Sequence, residues 1–229
     1  MNGPAGRMIW PLWGLATIGM FVAIHMVFRY APDERTMGAA QRIFYFHVPA
    51  AIVTFLAALV LLVGAVGYLL TRSRVLDNLS RAAAEIGLLF CSLVLITGPI
   101  WAKPAWGIWW SWEARLTTTL VLWLLLVGCL MVRSYAADRE LGARLAAVVG
   151  IVAAVDVPII YKAVDWWRGQ HPVVFGPGRE DALDPRMRLA FLTCLVVFIV
   201  LFGLLLALRY AAATIEDRAA AARERLSAE

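Results

Sequence analysis

Six long apolar stretches leave this chain little choice of fold. They fall at about residues 8–28, 44–70, 82–101, 116–132, 145–161 and 189–208. About 20 apolar residues in helical conformation cross a hydrocarbon core of ~30 Å. Inside that core, backbone N–H and C=O groups must pair within a helix or a closed barrel. The stretches are rich in Leu, Val, Ala and Ile and lack period-2 alternation, so they predict helices and not barrel strands. With 62% hydrophobic residues and a mean hydropathy of +0.76 over 229 residues, the composition is far from that of a soluble domain. The expected fold class is all-α: a polytopic membrane protein, one bundle of six transmembrane helices forming a single domain over residues 1–229.

The first stretch is expected to remain as a span. Its basic flank is the single Arg7, its apolar run is too long for a signal peptide, and no small-residue cleavage site follows it. The longest polar stretches are a loop at 163–188 and a tail at 209–229, so no soluble domain is expected. The tail is rich in Ala, Arg and Glu and predicts a solvated cytoplasmic helix continuing the last span.

The net charge of +5 comes from basic residues scattered among loops, with no basic helix or recognisable nucleic-acid module. Nucleic acid is therefore not expected as a partner; the lipid bilayer is. Cys91, Cys129 and Cys194 all fall within spans with no C-x-x-C pair. They read as small core residues, without a redox or haem-attachment motif.

Six spans place both ends of the chain on one side. Eleven of the 21 Lys/Arg then fall on that side, with three arginines in each of the short segments 71–81 and 133–144. The positive-inside rule barely decides on totals; the density in the short segments favours cytoplasmic termini. The opposite, periplasmic, side gathers what is unusual. Trp106, Trp109, Trp110 and Trp112 fall within seven residues, in a Trp-rich segment at 101–117 that also holds Trp101, Lys103, Glu113 and Arg115. An interfacial belt normally uses one or two aromatic residues per helix end. Indoles this dense predict a platform for a large, flat, apolar ligand with polar edges.

Two of the three histidines share that side. His47 opens the second span in Arg42-Ile-Phe-Tyr-Phe-His47-Val-Pro49, with Pro49 read as part of the first helical turn. His171 follows Trp166 and Trp167 in the outer loop 163–187, long enough to be functional. Each histidine alone would read as a hydrogen-bonded interfacial residue. Imidazole is also a common axial ligand of haem iron, and a haem needs apolar walls and cations for two propionates. Arg42, Lys103, Arg115 and Arg168 are the cations available on this side. Zinc is the weaker reading, because it wants four ligands and the outer side offers two histidines and no thiol. His25 is expected to make polar contacts between helices. Asp156, before Pro158 in mid-span, is either functional or a protonated donor to a carbonyl freed by Pro158. Glu85 reads as a solvated or loop-paired residue.

Three motifs together resemble the haem exporter C family of bacterial cytochrome c maturation, a member of the WWD haem-handling proteins. They are Phe46-His47-Val48-Pro49-Ala50-Ala51; Lys103-Pro-x-Trp106-Gly-x-Trp-Trp-x-Trp-Glu113-Ala-Arg115-Leu-Thr117; and Pro158-Ile-Ile followed by Trp166-Trp167-x-x-x-His171. The resemblance covers about residues 40–175. It departs from the family signature at Glu113, which stands where the family has Asp.

The resemblance implies haem b as the cofactor, with His47 and His171 as axial ligands of the iron. It implies a Trp101, Trp106, Trp109, Trp110 and Trp112 platform ending on Glu113, and Arg42 and Arg115 at the propionates. It implies delivery to a periplasmic haem chaperone, the E component, beside ABC transporter components A and B and a small membrane protein, the D component. It implies an inner-membrane location and no enzymatic activity. Two other classes compete on residues alone. A b-type cytochrome electron carrier would bury its histidines deeper in the bundle, and a secondary transporter would show internal repeats, which are not visible here.

Overall fold

All six stretches are helical. The computed structural model describes residues 4–169, 171–172 and 183–227. Helix α1 (Pro4–His25) continues through a π-helical turn, Met26–Tyr30; a 3-10 turn, Ala39–Ile43, leads into α2 (Phe44–Thr71). Then come α3 (Arg74–Trp106), α4 (Ala114–Tyr135), α5 (Arg139–Trp167) and α6 (Pro185–Ser227). Six helices are long and apolar enough to cross a membrane, and the described residues contain no β-strand.

Several helices outrun their apolar stretches. Helix α3 begins at Arg74 rather than near residue 82, and only Arg72 and Ser73 separate it from α2. Arg72 takes φ +57° and its N–H caps the Tyr68 carbonyl at 2.8 Å. Polar residues can enter the helix here because the buried Asp77 and Asn78 are paired. Asp77 accepts from Arg133 Nη2 at 2.6 Å, and Asn78 Nδ2 donates to Asp217 at 3.0 Å.

The tail is helical, as expected, yet it is not a free solvated helix. Arg209 and Arg81 both bond Glu85 and Glu216, and Arg139 pairs with Asp217. This network ties the 43-residue α6 to α3 and α5. Glu85 is thus paired between helices and not to a loop.

Helix α2 packs against α3, α5 and α6; α4 lies on α3 and α5; α1 lies on α6. Hydrocarbon offers no hydrophobic drive for helices to associate, so close approach of small residues does the packing. Along α5, Gly142, Ala143, Ala146, Ala147, Gly150, Ala153 and Ala154 are buried. A Cβ on Gly150 would come within 2.9 Å of Leu61 of α2. Helix α5 runs unbroken through Pro158. All three cysteines are buried and free. One oxygen of buried Asp156 has no hydrogen-bond partner among the described residues, so donation from it to a carbonyl freed by Pro158 is not observed.

Candidate haem site

The first turns of α2, α4 and α6 and the last turns of α3 and α5 meet at one end of the bundle. Between them lies a cavity of about 640 Å³, within the ~300–1,000 Å³ range of ligand pockets. Its walls are largely apolar: Phe44, Val48, Ile52 and Phe55 from α2, Val94, Leu95 and Pro99 from α3, Leu116 from α4, Ile160 from α5, and Phe191, Leu192 and Leu195 from α6. His47, His171, Trp101, Trp106, Trp110 and Arg115 all line the same space.

His47 sits in the first turn of α2, which begins at Phe44, so Pro49 falls one turn later than the sequence predicts. Its Nδ1 lies 2.8 Å from Thr97 Oγ1, and a Cβ on Gly98 would meet its Cε1 at 3.4 Å. Thr97 Oγ1 itself donates to the Leu93 carbonyl at 2.7 Å.

His171 lies beyond the end of α5. Arg168 takes φ +52° there and turns the chain back toward the Trp-rich segment. The Nδ1 of His171 is 3.2 Å from Glu113 Oε1. The Trp101 and Trp106 rings flank it, with centroids 6.5 and 6.1 Å from the imidazole, and pack edge-to-face on each other at 5.2 Å.

The Trp-rich segment divides into three parts. Trp101 and Trp106 belong to the last turns of α3, which Gly107 ends at φ +76° with its N–H on the Lys103 carbonyl. Trp110 lines the cavity, and its indole N–H is buried with no partner among the described residues. Trp109 and Trp112 are 59% and 75% exposed and do not line the cavity. The single platform expected of all five indoles therefore does not form. The irregular chain after Gly107 has no helical period to bring every indole to one face, and Trp112 instead packs edge-to-face on Trp110 at 5.6 Å.

The cations also separate. Arg115 lines the cavity while its guanidinium donates to the Ile160 and Tyr161 carbonyls of α5 at 3.4 and 3.1 Å. Arg42 does not line it. Its guanidinium bonds Asp33 at 2.8 Å and the Phe28 carbonyl at 3.4 Å, and lies over the Phe28 ring. The neighbouring turn is held by Glu34, whose carboxylate accepts from the Met37 and Thr36 N–H groups; the Met37 bond lowers its pKa below the usual value.

Lys103 is exposed and donates to the Gly107 carbonyl, and Arg168 lines a shallower groove with Trp112, Glu113 and Trp167. Trp166 and Trp167 are the exposed end of α5 rather than part of a loop. His25 is exposed on α1 and does not line the cavity, and the polar helix contact expected for it is not seen among the described residues. Most of the 163–187 loop beyond Pro172 lies outside the described residues. Sequence reasoning missed Thr97, Gly98, Tyr161 and Asp165, polar or small residues at unremarkable helical positions.

The residues present fit a haem. Two imidazoles reach one apolar cavity, indoles supply flat walls, and the orphaned Trp110 N–H together with Arg115 offers donors to acidic groups. Iron in a porphyrin asks the protein for axial ligands only. Accordingly, the site needs no larger cluster, and among the described residues no group of three or more His, Cys, Asp or Glu is placed to hold a metal ion.

The profile of the CcmC family, Heme exporter protein C, matches residues 2–225. The chain belongs to that family. Among its relatives, Heme exporter protein C of Escherichia coli strain K12 is 38% identical over 70% of this chain and 65% of its own length. The Bradyrhizobium diazoefficiens protein of the same name is 36% identical over 75% of this chain and 66% of its own length. The Haemophilus influenzae one is 34% identical over 87% and 82%. The match thus spans just under two thirds of the first two relatives.

Proposed function

We propose that this CcmC family member binds haem b at the periplasmic face of the bacterial inner membrane and hands it to a periplasmic haem chaperone for cytochrome c maturation. It acts as a binding and delivery protein, not an enzyme. It works beside ABC transporter components A and B and the small membrane D component. One observation carries the reading: His47 and His171, far apart in sequence, line one apolar cavity with Trp101, Trp106 and Trp110. His47 and His171 would hold the iron, the three indoles would wall the porphyrin, and Arg115 and the Trp110 N–H would meet the propionates. Arg42 would join them only by leaving Asp33. When bound, the haem supplies the iron centre that the chaperone receives. Trp109 and Trp112, turned away from the cavity, are left exposed toward that receiver.

The deciding experiment is the visible and EPR spectrum of purified single variants. Wild type is expected to hold six-coordinate, low-spin haem. His47→Ala and His171→Ala should each give a high-spin species, because the indole wall still retains the porphyrin by burial. His25→Ala should match wild type. A low-spin signal that survives His171→Ala and is lost in His25→Ala overturns the ligand assignment. Potentiometry separates delivery from electron transfer, since an electron carrier cycles its haem reversibly without losing it to a chaperone.

Orientation has its own test. Reporter fusions at Gly107 should report the periplasm and fusions at Ser73 the cytoplasm. The reverse pattern would place the site on the wrong side for delivery to a periplasmic protein.

A further inference from the structure

Glu113 stands at the N-cap of α4, in extended conformation with φ −66° and ψ 157°, yet its side chain makes no capping bond. A side-chain oxygen at an N-cap ordinarily accepts from a first-turn N–H; this carboxylate is turned elsewhere. One oxygen lies 3.2 Å from His171 Nδ1. The other sits where a Cβ on Gly169 would meet it at 3.0 Å. The side chain is 10% exposed and lies at the positive end of the α4 dipole, which favours the ionised form. An ionised carboxylate only accepts, so His171 donates from Nδ1 and turns the bare lone pair of Nε2 away from Glu113.

The second imidazole is backed differently. Thr97 Oγ1 has one proton and gives it to the Leu93 carbonyl, so toward His47 Nδ1 it accepts. His47 therefore also carries its proton on Nδ1, but against a neutral hydroxyl.

We propose that Glu113 is a positioning residue that acts through His171. It fixes the tautomer and makes His171 the stronger electron donor of an unequal ligand pair, with Thr97-backed His47 the weaker. This rests on the reading that both imidazoles ligate haem iron. A carboxylate behind a ligating imidazole raises its basicity, and a more basic axial ligand favours ferric over ferrous iron. Glu113 thereby lowers the midpoint potential, and Thr97 does so less.

The test is spectroelectrochemistry of the full-length protein in detergent, loaded with haemin. Glu113→Gln keeps the shape and removes the charge; its haem should stay low-spin and titrate at a higher midpoint than wild type. Glu113→Asp keeps the charge and should fall nearer wild type than Gln does. Thr97→Val should shift the midpoint less than Glu113→Gln. If Glu113→Gln fails to retain haem, Gly169→Ala, which crowds the carboxylate without removing a charge, should raise the midpoint in its place. An unchanged midpoint in Glu113→Gln, or a larger shift in Thr97→Val, overturns the proposal while leaving bis-histidine ligation intact. A wild-type spectrum that is not low-spin would instead overturn the ligand reading beneath it.

Discussion

Arg133 Nη2 lies 2.6 Å from Asp77 Oδ1, and the Asp77 side chain is only 1% exposed. The pair joins α4 to the first turn of α3 at the end of the bundle opposite the cavity. It is incompletely satisfied, because Asp77 Oδ2 and Arg133 Nε have no hydrogen-bond partners among the described residues. Removing one member strands the other, so Asp77→Ala should cost about 3 kcal/mol of stability. The double variant Asp77→Leu/Arg133→Met should recover most of that loss, since an apolar pair of similar volume often replaces a buried ion pair without cost. Thermal unfolding in detergent checks both; a double variant as unstable as the sum of the singles would contradict the argument.

At Gly64 the backbone of α3 comes directly against α2. A Cβ at Gly64 would lie 2.9 Å from the Ser80 backbone nitrogen and 3.0 Å from the Leu76 carbonyl oxygen. Backbone cannot rotate away as a side chain can. Gly64→Ala should therefore destabilise by about 1–3 kcal/mol, the usual cost of overpacking. Gly128→Ala, where nothing lies within 4 Å of the added carbon, is the matched control and should be near neutral. Midpoints of chemical unfolding in mild detergent distinguish the two.

The existence of the six helices was legible because hydropathy reports what must face lipid. Their ends were not. Arg74, Asp77, Asn78 and Arg81 read as a loop, yet they are helical: Arg133 of α4 answers Asp77, Asp217 and Glu216 of α6 answer Asn78 and Arg81, and Arg74 lies beside Asp77 in its own helix. Composition records the charge of a residue but not the distant residue that answers it. The site divides the same way. His47, His171 and Trp106 announced themselves by type, and they do share a cavity. Trp109 and Trp112 did so equally and face outward, because a segment without regular period carries no signal of facing. Thr97 gave no signal at all: a threonine inside a span reads as helix filler until the fold brings His47 to it.

Arg115 and Arg168 are both arginines beside the Trp-rich segment, and only Arg115 lines the cavity. Its guanidinium already holds two α5 carbonyls, so it is fixed in place before any ligand arrives. A pre-positioned cation pairs with a partly desolvated carboxylate at less entropic cost than a free one. Arg115→Ala should lower haem retention through purification roughly tenfold, equivalent to about 1.4 kcal/mol. Arg168→Ala should retain haem as wild type does. Equal haem content in the two variants, measured by pyridine haemochrome absorbance, would deny Arg115 a specific role.

The division of the indoles gives the last prediction. Trp106 and Trp110 line the cavity, whereas Trp109 and Trp112 are exposed. An indole contributes to ligand binding through the apolar area that it buries against the ligand. Trp106→Ala and Trp110→Ala should therefore each weaken haem binding by roughly tenfold or more. Trp109→Ala and Trp112→Ala should leave haem content at the wild-type level, and any loss of function there should appear only at transfer to the chaperone. Trp110→Phe isolates the orphaned N–H: it keeps most of the apolar wall and removes the donor. If that N–H meets a propionate, Trp110→Phe should bind more weakly than wild type toward haem. It should match wild type toward the dimethyl ester of haem, which lacks the acidic groups. Haem titrations of the purified variants measure all five cases. Equal weakening by exposed and cavity-lining indoles would mean that the porphyrin lies outside the cavity, across the surface of the segment.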